Sequence, residues 1–211
     1  MIENAGPSRL SSAIKFFRPW VTALTQPNAA AYREILNGTG VSSLTAVLWL
    51  VGAGLVGGLS YGITGWLFGN LGLERFSQAV GLPLPDEPLV LLLLFPIVTV
   101  IGFIGAAFVG AGLVQLAARL LGGTGSFEKL LYGFAAFLSP LWLAAVVFSA
   151  LPYFSCLIPA LVCYGFILSV IACRAAQQVS VSKALIASLF AALSVLLFCT
   201  ITYIMTAILM G

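Results

Sequence analysis

Few groups in this chain can do chemistry, and their spacing limits what they can do. The four cysteines are Cys156, Cys163, Cys173 and Cys199, and none is paired as Cys-x-x-Cys. There is no histidine among the 211 residues. Zinc and iron–sulfur sites draw on His or on clustered thiolates and carboxylates, so neither is expected. The same lack of His removes Ser-His and Cys-His activation of a nucleophile. Cys156 and Cys163 lie about two helical turns apart on one face and read as small buried apolar side chains. Cys173 falls near a membrane boundary, where cysteines can be acylated. Lys129 and Lys183 both fall at segment boundaries rather than in an apolar interior. These residues predict no catalytic site, no metal and no cofactor.

Composition says what must position them. Hydrophobic residues make up 61% of the chain and charged residues 7%, with mean hydropathy +1.14. A soluble domain carries about 25% charged residues, so this chain cannot cover a water-facing surface. It reads as an integral membrane protein. Long charge-free stretches run from Glu34 to Glu74, from Glu87 to Arg119, from Lys129 to Arg174, and from Lys183 to the end. A span takes about 17–25 residues, so three of these hold one helix and the stretch from Lys129 to Arg174 holds two, parted at Pro152. The predicted spans are 43–68, 89–120, 130–151, 153–173 and 184–209. Each is continuously apolar rather than alternating, and a helix satisfies its own backbone in hydrocarbon, so helices are preferred to a barrel.

The predicted fold is therefore all-α, a polytopic bundle of five transmembrane helices (41–211) preceded by a cytoplasmic N-terminal arm (1–40). Of the nine basic residues, all but Arg75 fall on the side of the arm and of the loops after spans 2 and 4. The positive-inside bias then puts the N-terminus in the cytoplasm and the C-terminus outside. The first residues lack the apolar core of a cleavable signal peptide, and the final Ile-Leu-Met-Gly matches no lipidation motif.

The arm reads as amphipathic over 8–24, with Leu10, Ile14, Phe17, Val21 and Leu24 on one face and Lys15 and Arg18 on the other. Lys15, Phe17, Arg18 and Trp20 are the residues expected at the membrane surface, the cations facing anionic lipid. Pro27 and Asn37-Gly38 bracket a second short helix.

No Asp, Glu, Lys or Arg falls in a span centre, which argues against proton-coupled transport, a pump or an intramembrane protease. Gly54, Gly58 and Gly62 recur every fourth residue in span 1, and Gly102, Ala106 and Gly110 do so in span 2. Such stripes let helix backbones approach closely. They suit packing of span 1 on span 2, or a seam with a partner. Pro96, Pro140 and Pro159 fall within spans 2, 3 and 4, where each is expected to kink its helix. Between spans 2 and 3, Gly122, Gly123 and Gly125 permit a tight reversal, and Ser126 is placed to cap span 3. A glycine loop before a helix can also cradle phosphate, but the Gly-Lys-Ser/Thr ending of a P-loop is missing. The loop reads first as a turn, and second as a contact for a lipid headgroup or partner.

In this loop the sequence resembles the Ypt-interacting-protein (Yip) family of five-span membrane proteins, in its prokaryotic form. The matching residues are Leu-Gly-Gly-x-Gly-Ser-Phe-x-x-Leu-Leu-Tyr from Leu121 to Tyr132, then Ala135-Ala136 and Pro140. The approach Phe16-Phe17-Arg18-Pro19-Trp20, then Leu24-Thr25-Gln26-Pro27, adds to it, and the likeness extends over about residues 10–205. Two features depart from the eukaryotic pattern. No acidic motif precedes span 1, and Tyr132-Gly133 stands where Gly-Tyr is usual, so the association with Rab-type GTPases does not carry over. The resemblance implies a non-enzymatic membrane organiser and brings no catalytic residues with it.

The function expected is a non-catalytic scaffold, assembly factor or accessory subunit. It would bind membrane lipids and other integral membrane proteins, but not nucleic acid, in a bacterial cytoplasmic membrane. A subunit of a large bioenergetic complex is one form of this. The rival reading is a passive transporter, channel or lipid-handling protein, motivated by the span prolines and by Ser60, Thr64, Thr99, Gln115 and Ser139.

Overall fold

The computed structural model describes residues 9–68, 88–150 and 154–210, and among these every regular element is helical. The helices are α1 (Arg9–Thr25), α2 (Ala29–Asn37), α3 (Ser43–Phe68), α4 (Pro88–Leu120), α5 (Phe127–Ala150), α6 (Ile158–Gln177) and α7 (Val181–Met210), with a 3₁₀ turn at Phe154–Leu157 before α6. Segments of α3 to α6 (Ser43–Thr64, Leu92–Leu120, Phe127–Ser149 and Ile158–Gln177) are long and apolar enough to cross a membrane. α7 is the fifth apolar helix of the bundle. Glu74, Arg75, Asp86 and Glu87, on which one side of the charge count rests, lie outside the described residues, as do Pro152 and the side chains of Lys15 and Cys199.

The five long helices close into a ring in the order α3, α4, α7, α6, α5, with α4 also touching α5 and α6 across the middle. The core concentrates where the loops of one end meet the helices. Trp49, Leu50, Leu130, Leu131, Ala135, Ala136, Leu168 and Ala172 are all buried there. The described cations Arg18, Arg33, Arg119, Lys129, Arg174 and Lys183 gather at this same end, because each stands on the arm or at a helix terminus facing it.

Local chemistry sets the boundaries. Asn28 is the N-cap of α2, its Oδ1 accepting the N–H of Ala31 at 2.8 Å, and Gly38 follows the last turn. Pro159 does not kink a span as the sequence suggested. It stands in the first turn of α6, where the missing N–H would have had no helical partner. Pro96 and Pro140 do lie inside α4 and α5.

The arm is a helical hairpin folded onto the bundle. α1 packs on α2 and α5, and α2 packs on α5 and α6. Trp20 lies 6.1 Å from Trp49, and Trp49 lies 4.9 Å from Tyr132, ring centre to ring centre. The Tyr164 hydroxyl donates to the Leu24 carbonyl near the end of α1. Tyr164 stands about 20 Å along α6 from Gln177 at ~1.5 Å per residue, so the tip of the hairpin leans well along that helix. Its buried underside is apolar, with Tyr32, Ile35 and Leu36 on α2.

Candidate functional site

The basic end is organised by the loop between α4 and α5. α4 stops in a Schellman turn: Gly122 has φ +90°, its N–H reaches Arg119 O at 3.0 Å, and the N–H of Gly123 reaches Ala118 O at 2.8 Å. A side chain at Gly122 would be strained by that φ. Gly125 is needed for a different reason, because a Cβ there would collide with the Ala176 carbonyl of α6. Close approach lets the Thr124 N–H bond Gln177 O at 3.2 Å. The loop is thereby laid across the end of α6. Ser126 then caps α5, accepting the Lys129 N–H at 3.3 Å.

Beneath the loop lies a buried polar node. The Gln177 side-chain amide donates to Gln115 Oε1, and the Gln115 amide donates to Gly125 O at 3.2 Å. Both glutamines are buried, so each bond replaces water that cannot reach them. Gln177 and its pairing with Gln115 are not visible to sequence reasoning. Gln115 stands out there only as an isolated polar residue in a span.

The charged residues around this node are committed in different ways. Glu128 accepts the Ser43 N–H at 3.0 Å. Arg18 pairs with Glu34 at 3.3 Å, both side chains largely exposed. Lys183 donates to Leu121 O at 2.8 Å, and Lys129 donates to Asn37 Oδ1 at 3.1 Å. Beside the last pair a cleft of about 510 Å³ opens between α2, the loop and the adjoining ends of α5 and α6, with Arg33 and Lys129 among its lining residues. Phe17 remains half exposed against Trp20, at 5.0 Å. Burial pushes the Tyr32 hydroxyl far above its ordinary range, and nearby Tyr164 adds to this.

This end carries the Leu121–Tyr132 segment. Tyr132 packs under Trp49, and Gly133 makes room for Leu36 of α2 and Ala172 of α6, at 3.5 and 3.6 Å from where its Cβ would be. The family model of the Yip1 domain matches residues 21–203. The chain belongs to the Yip1 family. No curated protein and no solved structure matches it. In this Yip1 chain, the matched region takes in α2, α3 to α6, most of α7 and the whole loop node.

The structure divides the glycine stripes. On α3, a Cβ at Gly54 would lie 2.9 Å from Val100 Cα, and one at Gly58 would lie 2.5 Å from Pro96 Cα, so both are used by α4. Gly57, which the four-residue spacing passes over, gives its space to Trp142. Gly62 is buried. On α4 the stripe is offset from this seam. Its buried face carries Pro96, Phe103, Ala107 and Ala111, while Gly102 and Ala106 are exposed and Gly110 is half buried. A Cβ at Gly102, Gly105 or Gly110 would meet nothing within 4 Å.

Several polar groups within the spans are spent locally. Ser60 donates to Val56 O at 2.8 Å, and Thr64 donates to Ser60 O. These bonds stay within one helix turn, whereas Ser139 Oγ is buried without a hydrogen-bond partner among the described residues.

Proposed function

We propose that this Yip1-family protein is a non-catalytic scaffold, assembly factor or accessory subunit that binds other integral membrane proteins through the outer face of α4. One observation carries the reading: Gly102, Gly105, Ala106 and Gly110 form a smooth track on a span that the rest of the chain covers only sparsely. An 18-residue apolar stretch of α4 is only 17% buried within the chain, against 56% for such a stretch of α5. Lipid tails are as apolar as leucine, so helices associate in membranes by close packing, and small residues are what permit it. The bonds of Ser60 and Thr64 to carbonyls of their own helix favour this over passive transport. The arrangement fits a multi-pass protein of a bacterial cytoplasmic membrane with its basic end inside, in keeping with the charge bias.

The test is the size of the species released by mild detergent. A discrete assembly larger than one chain is expected, and Gly102→Leu with Gly105→Leu should dissolve it while leaving the melting temperature of the chain unchanged. A monomer at every concentration, or an assembly indifferent to both substitutions, overturns the reading.

A further inference from the structure

We propose that the cleft between α2, the glycine loop and the ends of α5 and α6 binds a phosphate group, carried on the headgroup of an anionic phospholipid. Two cations, Arg33 and Lys129, line it together with the polar side chains of Asn37, Thr124, Ser126 and Gln178, and no carboxylate is among the lining residues. The two carboxylates among the described residues are engaged elsewhere, Glu34 by Arg18 and Glu128 by the Ser43 N–H. Arg33 makes no hydrogen bond or ion pair with another described residue, so its guanidinium is free to bind an anion.

The local charge balance favours an anion even when the backbone is counted. The C-terminal ends of α2 and α6 each bring about half a negative charge, and the start of α5 brings about half a positive one. Two full cations exceed that sum by more than one unit. Lys129 is held by Asn37 at 3.1 Å and so is already positioned. Arg33 adds a planar fork that matches phosphate oxygens in pairs. Thr124 and Ser126 supply hydroxyl donors. Depth indicates the source of the phosphate. The cleft lies where one membrane-crossing helix begins and another ends, Phe127–Ser149 and Ile158–Gln177, which is the level of the lipid headgroups. A volume of about 510 Å³ admits a phosphodiester headgroup.

The experiment is native mass spectrometry of the full chain in detergent with equal phosphatidylglycerol and phosphatidylcholine. Preferential retention of phosphatidylglycerol is expected. Arg33→Gln should weaken it about tenfold and Arg33→Gln with Lys129→Gln about a hundredfold, while Arg119→Gln, a cation of the same end outside the cleft, leaves it unchanged. Arg33→Gln removes no internal bond, so an unaltered melting temperature separates lost binding from lost fold. A second arm titrates inorganic phosphate. Displacement of phosphatidylglycerol by phosphate supports recognition of the phosphate group. Phosphate binding that depends on Arg33, without preference between the lipids, overturns the lipid source and keeps the chemistry. Equal retention of both lipids with no effect of phosphate overturns the proposal, as does an equal loss in Arg119→Gln.

Discussion

Glu128, at the head of α5, accepts the backbone N–H of Ser43 at the head of α3, at 3.0 Å. One side chain thus caps a helix that begins far earlier in the chain, and it ties the two helix N-termini together. Ser42 shares the work, its Oγ accepting the Thr45 N–H at 3.1 Å. Glu128→Ala should destabilise the chain by about 1 kcal/mol, and Glu128→Gln by less, because the amide keeps an acceptor but loses the charge favoured at a helix start. Thermal melts in one detergent at one salt concentration check this.

Gly125 and Gly105 are alike in sequence and opposite in surroundings. Gly125→Ala forces a methyl into the Ala176 carbonyl, and neither backbone can move without breaking the Thr124 bond to Gln177. A cost of about 3 kcal/mol is expected. Gly105→Ala meets open space and should be neutral or stabilising by up to about 1 kcal/mol, from the lower entropy cost of ordering a helix. Folded yield and melting temperature of the two variants give the comparison.

The glutamine pair invites a double-mutant cycle. Gln115→Leu leaves the buried Gln177 amide without its acceptor and frees the Gly125 carbonyl, at a cost of about 1–3 kcal/mol. Gln177→Leu leaves Gln115 still bonded to Gly125 and should cost less. The double substitution should cost less than the two single losses together, since each strands the other's partner. Strict additivity would show that the two side chains do not interact.

Tyr32 gives the arm a pH dependence. Its folded-state pKa is raised by burial and by Tyr164, whereas an exposed tyrosine titrates near 10. Below that value both states are neutral and the contribution of this group to stability is constant. Above it the unfolded chain releases a proton that the folded chain holds, so stability falls as pH rises. Tyr32→Phe should abolish that share of the alkaline slope and cost about 1 kcal/mol at neutral pH for the lost bond to Ala23 O. Melting temperatures from pH 7 to 11 read both effects.

The bundle itself was legible because charge is expelled from hydrocarbon, so the gaps between charged residues trace the long helices. The limits of α2 were legible because Pro27, Asn28 and Asn37-Gly38 act on their immediate neighbours. What escaped was relational. A proline in a first turn and one in a helix interior look alike until the end of the preceding helix is known, so Pro159 was misplaced. Small residues cover so much of the circumference of α4 that spacing alone selects Gly102 and Ala106 as readily as the Ala107 and Ala111 face that is buried. Glu128 with Ser43, and Gln115 with Gln177, are joined across long separations that no local pattern reports. Arg33 looks like any arm cation until the fold brings it beside Lys129.

The circular order of the long helices has a consequence for biosynthesis. α7 leaves the ribosome after the other four long helices, yet it sits between α4 and α6 and buries Ala184, Ala187, Ser188 and Ala191. Until it arrives, α4 and α6 still touch each other, but the small-residue surfaces that α7 covers on them stand open. A nascent chain stalled before Val181 would leave the α4 and α6 surfaces that α7 covers exposed to quality-control proteases, and the insertion of α7 is the event that covers them.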